Sequence, residues 1–272
     1  MTGFWICLGV VGFLAAVYLA ALCPWRRPRP GLRPGLYAHR GLHGPGRAEN
    51  SLEAFQAAAA AGYGVELDVR LSADGAVVVF HDGTLMRACG QSKGVEELSL
   101  SELKGLRLFG TPCRIPTLEQ ALEAMAGRCP LIVEIKPGAR MKTLCEETAA
   151  LLEGYPGPFC VQSFDPRVLY WFRRRRPQMI RGQLSMNFFR AREGLPLALA
   201  FVLTHLMSNF LTRPDFIAYR FSDRQDTAFS VCRQFFHMPA AAWTVTEPSQ
   251  LEGAQGSFDA VIFEGFRPKG RA

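Results

Sequence analysis

Apolar residues are distributed unevenly along the chain. The N-terminal stretch 4–23 (FWICLGVVGFLAAVYLAALC) carries no charged side chain. One helix of about 20 apolar residues is what crosses the hydrocarbon core of a bilayer. The stretch therefore predicts a single transmembrane helix. The prolines that follow, at positions 24, 28, 30 and 34, predict a stiff, extended spacer.

After residue 35, short apolar runs rich in β-branched residues alternate with segments long enough to be helices. The predicted strands are 36–40, 65–70, 76–81, 131–136, 159–164, 179–184, 215–220, 240–245 and 259–264. Asn50 and Glu53 have the spacing of a capping box, which predicts a helix over 50–61 that ends at Gly62. Alternating strands and helices over this length indicate an α/β fold, specifically a (β/α)₈ TIM barrel preceded by the transmembrane helix.

Nine predicted strands are one too many for an eight-stranded barrel. Residues 72–75 (SADG) predict a tight turn, so the strands at 65–70 and 76–81 are expected to be antiparallel neighbours. One of them must then be an addition to the barrel, and the pattern does not decide which. The predicted domains are a membrane anchor with its spacer, 1–35, and a barrel domain, 36–272.

The net charge of +7 comes largely from two local runs of arginine. Arg26, Arg27, Arg29 and Arg33 follow the apolar stretch, and the positive-inside rule then places the barrel domain in the cytoplasm of a single-pass membrane protein. The run 173–176 has two readings: the solvated last turn of a helix, or a patch for phosphate or lipid headgroups. The chain carries no nucleic-acid recognition motif, so no nucleic-acid partner is expected.

Two further features admit more than one interpretation. Residues 195–212 contain no acid, lysine or arginine, which is compatible with an outer barrel helix or with a helix lying against the membrane. His43, His205 and His237 are interpreted as surface or core histidines. The eight cysteines contain no C-x-x-C pair, which argues against a structural zinc site.

Ionisable residues occur at the ends of successive predicted strands. The first ends in His39-Arg40, Glu66 and Asp68 share one face of the second, and His81 ends the third; Glu134 and Lys136 share one face of the fourth. Charged groups in apolar strands are costly unless they pair or bind something. At the C-terminal end of a barrel such side chains converge.

The chemistry of this set is specific. Three carboxylates suit one hard divalent cation, Mg²⁺ or Ca²⁺. Two histidines can supply the base and the acid of one proton-transfer cycle. Arg40 and Lys136 add positive charge for an anionic group. Together these residue types match displacement at a phosphodiester.

The ordered motifs resemble the glycerophosphodiester phosphodiesterase family. The motifs that carry the resemblance are HRG at 39–41, ENS at 49–51, ELDV at 66–69, HD at 81–82, IPTLE at 115–119, EIK at 134–136, QSF at 162–164 and WTV at 243–245. The resemblance covers essentially all of the chain after residue 35. It implies a TIM-barrel hydrolase that cleaves glycerophosphodiesters to glycerol 3-phosphate and an alcohol.

The resemblance also implies a role for each matching residue. The implied metal ligands are Glu66, Asp68 and Glu134; the implied acid and base are His39 and His81; the implied phosphate and substrate contacts are Arg40, Lys136, Phe164 and Trp243. Two positions depart from the family pattern. Ala48 replaces a usual proline, and 263–268 (FEGFRP) replaces a usual Thr-Asp-x-Pro element, which affects the last loop of the site.

Two other functions remain open. One is lysophospholipase D-type hydrolysis of membrane lysophospholipids, which the anchor and the apolar segment 195–212 favour. The other is a catalytically silent membrane scaffold, which the intact set of costly ionisable residues argues against.

Overall fold

The strands of the protein close into a barrel. The computed structural model describes residues 1–191 and 194–268, and the end of the predicted barrel domain, 269–272, lies outside these ranges. The strands are β1 (Gly35–His39), β2 (Gly64–Leu71), β3 (Val77–Val79), β4 (Leu131–Ile135), β5 (Phe159–Ser163), β6 (Arg181–Ser185), β7 (Phe216–Arg220), β8 (Ala240–Val245) and β9 (Ala260–Phe263). The parallel strands follow the order β1-β2-β4-β5-β6-β7-β8-β9, and β9 pairs back onto β1. This closed eight-stranded barrel confirms the predicted TIM barrel.

The additional strand is β3. It pairs antiparallel with β2, with Val79 opposite Val69 and Val77 opposite Leu71. Ser72 holds the connecting turn, because its Oγ accepts a hydrogen bond from the backbone N–H of Ala76 at 2.9 Å. The predicted turn and antiparallel pairing are thus confirmed, and β2 is the member of the pair that belongs to the barrel.

Helices surround the barrel. They are α1 (Thr2–Leu22), α2 (Leu52–Ala60), α3 (Met86–Cys89), α4 (Leu100–Gly105), α5 (Leu118–Met125), α6 (Met141–Glu153), α7 (Pro166–Arg175), α8 (Phe188–Ala191), α9 (Leu197–Thr204), α10 (Asn209–Thr212), α11 (Thr227–Ser230) and α12 (Pro248–Ser257). The predicted N-cap of α2 was wrong by one residue. Ser51, not Asn50, is the N-cap, and its side chain accepts from the backbone N–H of Ala54 at 3.2 Å.

The barrel interior is filled by side chains below the strand ends. Tyr37, Ile132 and Phe216 are buried there. Gly182 on β6 must lack a side chain, because a Cβ at this position would overlap the ring of Phe216 on the neighbouring strand. A filled floor of this kind leaves room for a site at the upper, C-terminal end of the strands.

Helix α1 stands apart from the barrel for most of its length. It has 21 residues and is long and apolar enough to cross a membrane. Only 6% of its most apolar 18-residue stretch is buried. Its end is an exception. Leu22 is fully buried against the barrel, and its carbonyl accepts a hydrogen bond from Asn209 Nδ2 at 3.2 Å. The helix is thus docked on the barrel by its last turn.

Asp215 fastens the segment after α1 to the barrel. Its buried carboxylate lies 2.6 Å from the guanidinium of Arg26 and 2.9 Å from that of Arg29. It also accepts the backbone N–H of Arg181 at 3.2 Å, at the start of β6. One carboxylate therefore joins the predicted spacer to two neighbouring parts of the barrel.

Replacing Asp215 with asparagine should destabilise the fold strongly. Removing one partner of a buried ion pair leaves the other charges uncompensated, which typically costs about 3–5 kcal/mol. We expect Asp215→Asn to lower the free energy of unfolding by about 3 kcal/mol, measured by denaturation in mild detergent. Glu153→Gln, which breaks an exposed pair with Arg176, should cost at most about 1 kcal/mol. Equal losses in the two variants would contradict this role of Asp215.

Candidate active site

The barrel brings the predicted ionisable residues to one end. In the strand register, His39 on β1 lies beside Glu66 on β2, and Asp68 lies beside Glu134 on β4. Parallel strands present their C-terminal ends on the same side, so residues from separate parts of the sequence meet there. Successive side chains along each strand point alternately into the barrel and toward the surrounding helices. At this end of the barrel, the polar side chains are the ones that point inward.

Three carboxylates form the centre of the site. Glu66, Asp68 and Glu134 are all buried, and one oxygen from each lies within 4.8 Å of the others. Burial, together with the charges of Asp68 and Glu134, raises the pKa of Glu66 well above its usual range. Burial also raises the pKa of Glu134. A buried all-oxygen donor set of this kind could hold a hard divalent cation.

Two basic side chains offset part of this negative charge. Lys136 Nζ lies 2.5 Å from a Glu134 oxygen and 3.3 Å from Asp68 Oδ1, and Arg40 Nε lies 3.3 Å from Asp68 Oδ2. Burial opposes the charge of Asp68, but Lys136, His81 and Arg40 together hold its pKa well below its usual range. Burial likewise opposes the ammonium of Lys136, but the carboxylates of Glu134 and Asp68 outweigh it and raise its pKa.

The loop after β1 is shaped to reach the carboxylates. The backbone N–H of Arg40 donates to Glu66 at 3.2 Å, and Asn50 Nδ2 donates to Asp68 Oδ2 at 2.9 Å. Arg40 and Asn50 both adopt φ of 55°, a left-handed conformation that asparagine tolerates but that is unfavourable for arginine. This backbone strain is compensated by hydrogen bonds to the buried acids. Asn50 thus serves the site instead of capping α2.

His39 is held by a carboxylate from the last strand of the barrel. Its Nδ1 lies 2.8 Å from Glu264, which follows β9, and the other Glu264 oxygen lies 3.2 Å from His43 Nε2. Burial opposes the charge of Glu264, but its hydrogen bond to His39 and the nearby ring of His43 keep its pKa below the usual range. A carboxylate can only accept, so Nδ1 of His39 carries the proton and Nε2 is left as the acceptor.

His81 is held in the same way. Its Nδ1 donates to Asp82 Oδ1 at 2.6 Å, and Arg87 donates to the second oxygen of Asp82 at 2.6 Å. Arg87 also pairs with Glu49 at 2.7 Å, and Glu49 in turn pairs with Arg40 at 2.8 Å. Burial lowers the pKa of His81. Both histidines therefore have Nδ1 fixed by an acid and Nε2 as the remaining acceptor.

Eight of the nine predicted site residues line one cavity of about 200 Å³. They are His39, Arg40, Glu66, His81, Glu134, Lys136, Phe164 and Trp243, and Asp68 lies beneath them in contact with Arg40 and Lys136. The rings of Phe164 and Trp243 meet edge to face at 5.4 Å and form one wall. The structure thus brings together all of the predicted site residues.

Sequence reasoning missed Glu264 and set His43 aside. Glu264 ends the last predicted strand, 259–264, as His39 and Glu134 end or line theirs, so the same polar strand-end signal was present. It was not used because the loop 263–268 departs from the family pattern. The structure shows why this position matters: closure of the barrel puts the end of β9 beside the end of β1.

A second, more apolar cavity of about 880 Å³ adjoins the first. The two cavities share His81, Lys136, Phe164 and Trp243. Beyond these residues, the larger cavity is lined mainly by Met186, Phe188, Leu195, Leu199 and Leu203, with Arg167 and Arg220 at its polar side. Its apolar lining comes from α8, α9 and the segments beside them, which include the first part of the segment 195–212.

Comparisons with known proteins are consistent with this geometry. Residues 39–251 match the model of the glycerophosphoryl diester phosphodiesterase family. The chain is 38% identical over 109 residues to a glycerophosphodiester phosphodiesterase of Caldanaerobacter subterraneus, covering 37% of this chain and 44% of that protein. It is 31% identical over 159 residues to a lysophospholipase D of Rattus norvegicus, covering 54% of this chain and 49% of that protein. The chain thus spans about half the length of these two relatives.

A solved structure resembles the whole barrel. It is an Oleispira antarctica phosphodiesterase in complex with the product sn-glycerol-3-phosphate, with a TM-score of 0.70 and 26% sequence identity. The match covers 85% of this chain and 93% of that chain. The barrel fold is therefore shared with a known phosphodiesterase.

Proposed function

The chain belongs to the glycerophosphoryl diester phosphodiesterase family, and on that basis we propose that it hydrolyses glycerophosphodiesters to sn-glycerol 3-phosphate and an alcohol. The observation that carries the proposal is a single cavity in which a buried carboxylate triad faces two histidines, each fixed through Nδ1 by an acid. Arg40 and Lys136 in the same cavity provide positive charge for a phosphodiester.

We propose that Glu66, Asp68 and Glu134 hold one divalent cation, Mg²⁺ or Ca²⁺. Three buried carboxylates with oxygens within 4.8 Å of one another are the donor type that both ions prefer. When bound, the cation supplies positive charge that polarises a phosphoryl oxygen. Arg40 and Lys136 are assigned to orient the phosphate and to neutralise its charge, since each lies within 3.3 Å of the carboxylate cluster.

The two histidines divide the proton transfers. With Nδ1 bonded to Glu264 or Asp82, each ring presents Nε2 to the cavity. One Nε2 takes the proton from the attacking oxygen, and the other histidine, protonated, gives a proton to the leaving alkoxide, so no charged alkoxide is released. Glu264 and Asp82 are positioning residues in this scheme. Phe164 and Trp243 form the wall against which the substrate lies.

The larger cavity favours a second candidate function, hydrolysis of lysophospholipids by lysophospholipase D-type cleavage. Its apolar lining is suited to an acyl chain, and it joins the polar cavity at His81 and Lys136. A glycerophosphodiester without an acyl chain would leave this lining without a partner. One relative, from Rattus norvegicus, is named for that activity.

We propose that α1 anchors the protein in a membrane as a single span. The helix is long and apolar enough, and its outer surface is almost entirely exposed. Its last turn is buried on the barrel through Leu22, and Arg26 and Arg29 are paired with Asp215, so removal of residues 1–35 would break built contacts. The arginines after the span favour a cytoplasmic barrel domain. We therefore propose two domains, a membrane anchor with its spacer at 1–35 and a catalytic barrel domain at 36–272.

Choline release from glycerophosphocholine and from lysophosphatidylcholine, assayed in parallel, tests the proposed function. We expect turnover of glycerophosphocholine with Mg²⁺ or Ca²⁺, and of lysophosphatidylcholine as well if the apolar cavity accepts an acyl chain. A charge in that cavity should shift the ratio of kcat/KM values. Leu199→Glu is expected to move this ratio toward glycerophosphocholine on the order of tenfold, about 1.4 kcal/mol. Absence of turnover with both substrates would contradict the proposed activity.

The metal proposal predicts a loss of activity without a loss of folding. Asp68→Asn and Glu134→Gln remove one anionic ligand each but keep the side-chain shape, so turnover should fall at least 10²-fold, roughly the effect of losing one catalytic group. Glu134→Gln should leave the unfolding midpoint unchanged or raise it, because burial already disfavours the charge of that carboxylate. Asp68→Asn should lower the midpoint but leave the protein folded, because it removes the charge that pairs with Arg40 and Lys136. Glu153→Gln is the control. Full activity of the unsubstituted protein after exhaustive chelation would rule out the metal.

The two histidines should respond differently to the leaving group. We expect His39→Ala and His81→Ala each to cost on the order of 10²–10⁴-fold with an alkyl glycerophosphodiester. With a p-nitrophenyl ester, whose leaving group needs no proton, the variant that lacks the acid should recover most of its rate. The variant that lacks the base should not. His237→Asn, at an exposed position away from the cavity, is the control. Equal losses with both esters in both variants would refute the division of roles.

A further inference from the structure

The helices α9 and α10 present an apolar surface to the outside of the barrel. Leu197, Leu199 and Phe201 on α9 and Phe210 and Leu211 on α10 are all exposed, by between 41% and 78%. We call these five residues the α9–α10 face. Large clustered apolar side chains on a protein surface commonly mark a contact with another protein or with a membrane. Apart from Leu199, which also lines the larger cavity, neither the proposed catalysis nor the barrel core accounts for them.

This face adjoins the docked end of α1. Tyr18 on α1 hydrogen-bonds His205, which follows α9, at 2.9 Å, and the ring of Phe201 packs against His205 at 4.4 Å between ring centres. Asn209, at the start of α10, donates to the carbonyl of Leu22. Hydrogen bonds between α1 and both His205 and Asn209, which lie in sequence between the α9 and α10 residues of the face, therefore fix the position of the face along the axis of α1.

That position places the face at the edge of a bilayer. Tyr18 lies four residues before Leu22, which is about 6 Å along a helix. His205 and Phe201 are thus level with the last turn of α1, where a span of about 20 residues leaves the hydrocarbon core. An apolar face held at this depth beside a membrane span lies in the interfacial layer, as amphipathic surface helices do.

The border of the face has the residues expected of a membrane interface. Tyr170, Arg174 and Arg175 line a surface cavity together with Leu211 of the face. Trp25 and Arg27 are exposed in the segment that follows α1. Arg173 links the two regions, because its guanidinium donates to the carbonyl of Leu211. Aromatic rings and cationic side chains are both enriched where proteins meet the headgroup layer.

We propose that the α9–α10 face lies in the surface of a membrane that contains anionic lipids, so that the apolar cavity opens toward the bilayer. Leu199 belongs both to the face and to the lining of that cavity. A lipid substrate could then pass from the bilayer to the carboxylate site without crossing water. The inference rests on the membrane anchoring proposed above. It extends that proposal by assigning a defined orientation to the barrel.

Site-specific photocrosslinking tests the contact directly. The full-length chain carries p-benzoylphenylalanine in place of Phe201 and is reconstituted into vesicles of phosphatidylcholine and phosphatidylglycerol. We expect lipid adducts on mass spectrometry. Gln56, exposed on α2, is the matched position that should give none. A crosslinked dimer would show that a second copy covers the face, and absence of any adduct at position 201 would show that the face is in water. Either result overturns the proposal.

A kinetic measurement separates this proposal from the proposed catalysis. In the same vesicles, Leu197→Glu combined with Phe201→Glu should reduce hydrolysis of membrane-bound lysophosphatidylcholine on the order of tenfold, because charge disfavours insertion into the interface. Hydrolysis of water-soluble glycerophosphocholine should not change. Gln56→Glu controls for added charge. Equal loss on both substrates would contradict the orientation. If the unsubstituted chain hydrolyses neither substrate, the proposed activity fails while the crosslinking result still decides the orientation.

Discussion

Three carboxylates buried within 4.8 Å of one another impose the main electrostatic demand on this fold. The protein interior screens charges less than water does, so at this separation the three carboxylates cannot all ionise easily. The raised pKa of Glu66 reflects its burial and its acidic neighbours. The surrounding structure supplies the positive charge and donors that this cluster requires. Arg40, Lys136 and Asn50 all contact Asp68.

The same demand explains features of the backbone near the site. Arg40 and Asn50 adopt left-handed backbone conformations after β1 and before α2, and each contributes a donor to the acids. The histidines are arranged around this centre by a second set of acids, Glu264 and Asp82. The site therefore has two parts. The carboxylates of the triad face the cavity, and the histidine rings are oriented by the acids bonded to their Nδ1 atoms. The contact between His39 and Glu264 depends on closure of the barrel, which pairs β9 with β1.

Period-two alternation made the carboxylate triad predictable, because Glu66 and Asp68 must share a strand face. The outcome at Asn50 was not predictable from local pattern, since Asn50 and Ser51 are both good capping residues and only the buried carboxylate of Asp68 distinguishes them. The role of Glu264 depends on contact between the first and last barrel strands, which sequence spacing does not show. The same is true of Asp215, whose ion-pair partners Arg26 and Arg29 lie more than 180 residues away.

We propose above that the carboxylate cluster, in which Lys136 contacts both Asp68 and Glu134, is a metal site. Anomalous diffraction from crystals soaked with Mn²⁺, an ion with similar oxygen preference, tests it most directly. A metal site here predicts one strong peak at bonding distance from Glu66, Asp68 and Glu134, with Lys136 displaced from the oxygens of Asp68 and Glu134. A peak elsewhere, or Lys136 still bridging the two carboxylates with no anomalous density among the three acids, would contradict it.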